Sequence, residues 1–373
     1  MNLQKEKEKY KEKLNQPSQA EIDKYSFSFA LFSANIKKFL PHIPKSDYKR
    51  CFQETLYHKW ISGLEQHDME YLKKTKVINN SSIDLENLNI KQPLIFASFH
   101  LGSYRSFNSI LYELGHKIVI VIDESVFIKQ QENILNNVGP LLKRKESSDF
   151  IILNVMDKTS IFKLKNLIEQ GYIMSVYLDG NTGINSDNVT FSKSYIPIQF
   201  LNNTIYVKNG IGKLAALLGA KIIPIIAHRD GEENNHIEFY KEIQISDFDN
   251  KQEFAVKSIE KAYNLFEEML YKYPTQWESW LYIHKWFKRD FSTPFNFESD
   301  NVSVNKFNDK RYAIFKLVDS FFLFDLFDYQ SYPITPEISK ALESNNFSEI
   351  DSTLLEELKT KTIILWKISL LHY

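Results

Sequence analysis

The sequence contains a single cysteine, Cys51, among 373 residues. One thiol excludes an intramolecular disulfide and any zinc site built from several thiolates, and such sparse use of cysteine is typical of a reducing compartment. No Gly-rich or Cys-His motif surrounds Cys51, and the stretch around it is predicted to be helical. Because a reactive thiol needs an activating environment, we do not expect a nucleophilic role for this residue.

Long apolar runs and a net excess of charge are also absent. No segment approaches the ~20 apolar residues that a membrane span requires, and the first residues, rich in Lys and Glu, lack the apolar core of a secretory signal. The 46 basic and 47 acidic residues give a formal net charge of −1, which provides no overall attraction for nucleic acid. We therefore expect a cytoplasmic protein with no nucleic-acid partner, and peripheral contact with the inner membrane stays open.

The pattern along the chain divides it into four parts. Residues 1–90 carry aromatic and aliphatic side chains at helical spacing and are predicted to form a helical amino-terminal region. Residues 91–291 alternate short β-rich runs with helical segments, which predicts βαβ units and a mainly parallel sheet. A polar linker over residues 292–309 then leads to a small α+β carboxyl-terminal unit, residues 310–373.

The expected fold is therefore α/β, a three-layer core around this sheet. The predicted strands of the core are Leu94–Phe99, Lys117–Ile122, Phe150–Leu153, Ile173–Leu178 and Ile222–Ala227. The predicted intervening helices are Ser103–Leu114, Thr159–Gln170 and Lys208–Leu218. In the carboxyl-terminal unit, the pattern predicts a hairpin and two helices, over Tyr312–Val318, Ser320–Phe327, Thr335–Glu343 and Ser352–Trp366.

Polar residues follow several of the predicted strands, namely His100, Asp123, Glu124, Asp179 and Arg229. Since the carboxyl ends of parallel strands meet at one edge of a sheet, where ligands bind, we expect these side chains to converge. Structural alternatives stay open. His100 could only support a strand-to-helix connection, Asp179 could be an ordinary turn aspartate, and the remaining carboxylates could cap helices.

Three separated blocks carry a resemblance to a known family. The first is the His-x-Gly-x-aromatic sequence within residues 98–104, and the third is the Pro-x-Gln-Trp-x-x-Trp stretch within residues 273–280. The second comprises Pro197–Asn202, Gly210–Ala215 and Gly219–Pro224. In this order the blocks resemble the lysophospholipid and lipid A acyltransferase superfamily, and most closely its bacterial lauroyl/myristoyl acyltransferase branch.

The resemblance implies transfer of a fatty acyl group from a thioester donor, acyl-coenzyme A or acyl carrier protein, to a hydroxyl or amine, without a metal or other cofactor. His100 would be the general base, since a neutral imidazole with a pKa near 6.5 can take the acceptor's proton. Backbone amides of the turn or an arginine would stabilise the oxyanion or hold an anionic group. The expected substrate contacts are Gly102, Tyr104, Arg105 and Arg229.

One position departs from the family. Arg105 stands five residues after the histidine, where the family has a carboxylate that orients the imidazole, and an arginine there would lower the basicity of the histidine. Either Asp179, Asp123 or Glu124 supplies the carboxylate, or the protein is a catalytically weakened acyl-binding or partner-docking protein on the same fold. We favour the first hypothesis, with Asp179 or Asp123 as the orienting group.

Two further segments have less specific patterns. Trp277 and Trp280 are three residues apart and are expected on one helical face, where they would pack in the core or line an acyl slot. The carboxyl-terminal unit distantly resembles small peptide-binding domains of peptide-modifying enzymes, which add a leader peptide as an extra strand. If this likeness holds, the acyl acceptor is a peptide or a carrier-bound intermediate. A lipid acceptor stays open, and a purely structural carboxyl-terminal unit is the alternative.

Overall fold

A computed structural model describes residues 3–66, 68–88, 92–122, 149–154, 157, 159–180, 194–231, 234–288 and 305–365. The expected carboxylates Asp123 and Glu124 lie outside these ranges. None of the described helices is both long and apolar enough to cross a membrane.

The described helices are α1 (Leu3–Asn15), α2 (Gln19–Phe39), α3 (Tyr48–Glu65), α4 (Met69–Lys74), α5 (Ser106–Glu113), α6 (Ser160–Glu169), α7 (Gly210–Leu218), α8 (Lys251–Lys272), α9 (Pro336–Ser344) and α10 (Ser352–Thr360). The strands are β1 (Lys76–Asn79), β2 (Leu94–Ser98), β3 (Lys117–Ile122), β4 (Phe150–Asn154), β5 (Tyr172–Tyr177), β6 (Tyr195–Phe200), β7 (Asn203–Lys208), β8 (Lys221–Asp230), β9 (Asn234–Phe239), β10 (Lys306–Phe307), β11 (Tyr312–Leu317), β12 (Ser320–Asp325), β13 (Ser331–Ile334) and β14 (Ile364–Leu365).

The chain divides into two compact units. The first combines residues 1–11 with 53–287, and the second combines residues 12–52 with 288–373. The expected amino-terminal region, residues 1–90, is therefore not a unit of its own. The reason is that α2 packs on β11 of the second unit: the Ser26 hydroxyl donates to the carbonyl oxygen of Lys316 and accepts its N–H.

The first unit is built on a seven-stranded sheet with the order β1-β9-β8-β2-β5-β3-β4. Its neighbouring strands are parallel, except for the antiparallel pair β8 and β9. The five predicted core strands are all present, and every residue of the central strand β2 is buried. Such a strand reads as a continuous apolar run because both of its faces are covered. The mixed α/β fold with a mainly parallel sheet is thus confirmed.

The register of the sheet places the ends of β2 and β5 side by side, next to the middle of β8. Ser98 of β2 pairs with Tyr177 of β5 on one side and with Ile225 of β8 on the other. Residues that follow β2 and β5 therefore leave the sheet at the same edge. The antiparallel partner of β8, strand β9, was not predicted, because its polar sequence Asn234–Phe239 lacks the continuous apolar run of the central strands.

The second unit contains the antiparallel sheet β11-β12-β13. The predicted hairpin and the first predicted helix are present, and the Thr335 side chain caps α9 by accepting the N–H of Ile338. The second predicted helix ends earlier, at Thr360. The chain then forms β14, which pairs with β10, so part of the expected linker 292–309 is a short strand. Residues 292–304 of that linker lie outside the described residues.

Candidate active site

Two residues that follow neighbouring strands form a hydrogen-bonded pair. His100 comes two residues after β2, and Asp179 comes two residues after β5. The imidazole Nδ1 lies 2.6 Å from Asp179 Oδ1. The His100 side chain is 20% exposed, whereas the Asp179 side chain is fully buried. The pair therefore combines an orienting carboxylate with an imidazole that solvent or a substrate can reach.

The second oxygen of Asp179 is also occupied. Oδ2 accepts the backbone N–H of His100 at 2.9 Å and the indole N–H of Trp277 at 2.8 Å. Both groups can only donate, so their acceptor must be an oxygen with a free lone pair. These two bonds fix the carboxylate so that Oδ1 faces the imidazole.

The pKa of His100 is raised above its usual 6.5. Burial is the largest single influence and lowers this pKa, because a charged ring is poorly solvated there. The charge of Asp179 and its hydrogen bond act in the opposite direction, and Glu278 adds to them, so together they outweigh burial. The protonated imidazole is thus stabilised by the groups that surround it.

Two tyrosines flank the imidazole. The Tyr104 ring meets it edge-on with a centroid distance of 4.7 Å, and the Tyr177 ring lies 4.8 Å away at a tilt. The Tyr177 hydroxyl accepts a hydrogen bond from Asn108 at 2.9 Å, which helps to fix that ring. Tyr104, expected as a substrate contact, therefore lies directly against the candidate base.

Arg105, at the position where the family has its carboxylate, contacts α3 and the Tyr104 ring. Its Nη1 donates to the Ser62 hydroxyl of α3 at 2.7 Å, and its guanidinium carbon lies 4.6 Å from the Tyr104 ring centroid. It also interacts electrostatically with Glu278, and its charge acts to lower the pKa of His100, as expected of a nearby cation. The structure thus places Arg105 beside the pair.

Arg229 has a different place from the one expected. Its guanidinium is buried and forms an ion pair with Glu65, and its Nη1 donates to Nδ1 of His58 at 3.0 Å. The Ser103 hydroxyl also donates to Glu65. Because the side chain of Arg229 is only 1% exposed, the expected contact with a substrate anion is replaced by an internal ion pair.

The pKa shifts of the neighbouring groups also indicate that Arg229 is part of an internal ion pair. Burial, the largest influence, lowers the pKa of Arg229, but Glu65 outweighs it and the pKa is raised. Burial and the charge of Arg229 hold the pKa of His58 well below its usual range. A neutral His58 can accept the hydrogen bond from the guanidinium. The cluster therefore ties α3 to the end of β8.

A glycine is required at position 102 by the backbone conformation and by the close packing around it. Its φ is +57°, and an added Cβ would lie 2.8 Å from both the Ala227 oxygen and the His228 Cα. Only glycine combines this backbone conformation with so close an approach. Its N–H donates to the carbonyl oxygen of Gln276 at 3.1 Å, so this amide is not free for an oxyanion. The expectation of a Gly102 substrate contact is corrected accordingly.

Sequence reasoning missed several residues of this site. Ser62 of α3 carried no signal, because helical spacing alone does not reveal which face meets a strand end. Glu278 lies in the third resemblance block and could have been singled out there. Trp277 of the same block was expected in the core or an acyl slot, but its hydrogen bond to Asp179 was not predicted. Within the described ranges, His, Cys, Asp and Glu form no group of three or more that could hold a metal ion.

Comparisons with known proteins yield one distant structural likeness to report. No family model and no curated protein matches the chain. The chain is similar to the crystal structure of the 1-acyl-sn-glycerophosphate (LPA) acyltransferase PlsC from Thermotoga maritima, at 12% sequence identity and a TM-score of 0.32. The match covers 66% of this chain and 96% of that one.

Proposed function

We propose that this protein is an acyltransferase that moves a fatty acyl group from a thioester donor to a hydroxyl or amine acceptor. The observation that carries the proposal is the pair of His100 and Asp179 at the edge of the parallel sheet, with the imidazole partly exposed. A carboxylate on Nδ1 leaves Nε2 to accept a proton, which is the arrangement that a general base needs.

The reaction follows from this arrangement. His100 Nε2 takes the proton of the acceptor as its oxygen or nitrogen attacks the thioester carbonyl, and a tetrahedral intermediate forms. When the intermediate collapses, the carbon–sulfur bond breaks, and the imidazolium returns the proton to the departing thiolate. Asp179 stabilises the imidazolium between these two steps. The carrier, coenzyme A or acyl carrier protein, leaves as a free thiol.

Arg105 and Lys59 are the proposed contacts for negative charge. Lys59 donates to the Tyr282 hydroxyl at 2.7 Å, and Arg105 donates to a serine hydroxyl. Among the described residues, no carboxylate lies within ion-pair distance of either cation, and both are half-buried. Half-buried cations with unused N–H donors suit an oxyanion, or a phosphate or carboxylate of a substrate.

Replacing Arg105 with glutamine is expected to raise KM about tenfold for the substrate that carries the anion, since a hydrogen bond to a charged group contributes about 1.5–3 kcal/mol. Arg105→Lys keeps the charge and should recover part of the loss. Arg50→Gln, on an exposed helix position, is the control. A lower kcat at unchanged KM would instead assign Arg105 to the oxyanion, and unchanged kinetics would remove it from the site.

Thiol release from a panel of acyl-coenzyme A and acyl carrier protein donors, with and without candidate hydroxyl and amine acceptors, tests the proposed activity. Acceptor-dependent release together with transfer of the acyl group to the acceptor is the expected result. If the folded protein binds acyl chains but releases no thiol with any donor, the chain is an acyl-binding protein and the enzymatic proposal is wrong.

A groove in the second unit favours a peptide as the acceptor. This groove, of about 630 Å³, lies between β13 and α10. Its apolar lining includes Leu323, Ile334, Ile338, Leu342, Leu354 and Leu358. β13 pairs with β12 on one side, and no described strand pairs with its other side. An extended peptide could add to this edge through its backbone and place alternate side chains in the groove.

Selecting a random peptide library on the full-length chain tests this second proposal. Enriched peptides are expected to bind at least tenfold more weakly to Leu354→Glu, which places a charge in the apolar groove. Leu217→Glu changes an exposed leucine of the first unit and should leave binding unaltered. Equal binding to both variants, or the lack of any enriched peptide, would count against a peptide-binding groove.

A further inference from the structure

Residues 276–278 run along the three strand ends that form the site. The backbone N–H of Gly102 donates to the carbonyl oxygen of Gln276, and the backbone N–H of Glu278 donates to the carbonyl oxygen of His100 at 3.3 Å. Leu101 and Trp277 form an antiparallel bridge between these two bonds. The segment therefore continues the sheet as a short extra partner of the chain that follows β2.

The side chains of the same segment reach the other two strand ends. The side-chain amide of Gln276 makes two hydrogen bonds with the backbone of Arg229, near the end of β8. It accepts the Arg229 N–H at 2.8 Å and donates to the Arg229 carbonyl oxygen at 2.7 Å. The Trp277 indole donates to Asp179, after β5. One segment thus connects the positions from which His100, Asp179 and Arg229 arise.

We propose that Trp277 is a positioning residue, which acts on His100 through Asp179; this inference rests on the proposed function. A carboxylate turns readily about its last torsion, because that torsion has broad preferences. The indole N–H and the backbone N–H of His100 hold Oδ2 from two directions. Oδ1 is then kept against Nδ1, and the proton-accepting nitrogen of the imidazole is kept toward the substrate.

The indole is well suited to this role because packing holds it on several sides. Trp277 is fully buried and its ring contacts four other aromatic rings, with centroid distances of 4.8–5.7 Å, namely Phe200, Phe266, Trp280 and Trp286. A donor locked by packing loses no side-chain freedom when the imidazole becomes charged. Such rigid support of a catalytic group is what precise positioning requires.

The alternative is that Trp277 only fills the core, and the structure offers a matched control for it. Trp286 is also fully buried and packs against Trp277, but its indole nitrogen has no hydrogen-bond partner among the described residues. Trp286→Phe therefore removes the same ring volume from the same cluster without removing a hydrogen bond. Trp277→Phe removes both.

The experiment compares the two variants in the full-length protein. Trp277→Phe is expected to lower kcat about 10- to 100-fold with little change in KM, whereas Trp286→Phe should change kcat less than threefold. The second readout is the proton resonance of the His100 Nδ1–H, which a hydrogen bond to a carboxylate moves downfield. This resonance should shift in Trp277→Phe and stay in place in Trp286→Phe.

The resonance separates this inference from the proposed function. If no donor is turned over, the proposed function fails, but a resonance shift confined to Trp277→Phe still supports the positioning role. Equal effects of the two variants on kcat and on the resonance would overturn it. If Trp277→Phe does not fold, a benzothienylalanine at position 277 keeps the shape of the indole and lacks only its N–H, and the same comparison applies.

Discussion

Asp179→Asn is expected to lower the rate of acyl transfer by about four orders of magnitude, the size of loss known for the equivalent change in the serine protease triad. The bonds to Oδ2 determine the outcome. Because the His100 N–H and the Trp277 indole can only donate, they will hold the asparagine carbonyl oxygen at the Oδ2 position. The amide NH₂ then faces Nδ1 and donates to it, so the imidazole proton moves to Nε2. A protonated Nε2 cannot accept the proton of the acceptor.

The measurement is single-turnover acyl transfer by wild type and Asp179→Asn, with thermal unfolding to show that both are folded. Glu242→Gln is a suitable control, because Glu242 is also a buried carboxylate of the first unit and accepts the backbone N–H of Ser82. An Asp179→Asn variant that keeps a tenth or more of the wild-type rate would remove Asp179 from the mechanism.

His100→Ala is expected to lower the rate by about 10⁴-fold, the upper end of the range typical of a lost general base, because it removes the group that Asp179 positions. The wild-type rate should also depend on pH through this residue. The base must be neutral, and its pKa is raised above 6.5, so activity is lost as the pH falls through this raised value. In Asp179→Asn, the strongest raising influence is gone, and the remaining activity should extend to lower pH.

The pH profile of kcat/KM measures this behaviour in the free enzyme. The control is His42→Ala, at an exposed position of the second unit, which should keep both the rate and the profile. If the acidic limb persists in His100→Ala, a different group carries the titration and His100 is not the base.

The sequence was sufficient to predict His100 as the base and to name Asp179 among its possible partners. The apolar run of β2 and the run of β5 are long enough to identify both strands, and a parallel sheet brings their carboxyl ends together. The direct pairing of Ser98 with Tyr177 then places His100 beside Asp179. The same argument was insufficient for Arg229, because it locates the backbone at a strand end and says nothing about the direction of a long side chain.

The surroundings of the pair depend on contacts that no local pattern encodes. Glu65 and Arg229 are 164 positions apart, and Trp277 and Asp179 are 98 apart. The sequence neighbours of each side chain do not indicate which distant residue it will meet. Likewise, the bond between Ser26 and Lys316, 290 positions apart, assigns α2 to the second unit in a way that its helical spacing does not predict.

The pairing of His100 with a residue of the neighbouring strand also bears on how the chain can change by insertion and deletion. A histidine and a carboxylate within one turn tolerate no added residue between them, since each addition rotates one away from the other. Here 79 positions separate the two partners, and their distance depends on the spacing of β2 and β5, about 4.8 Å in any sheet. Insertions and deletions within this interval can leave the pair intact. Because Asp179 supplies the orienting carboxylate, position 105 does not need to carry one and can be an arginine.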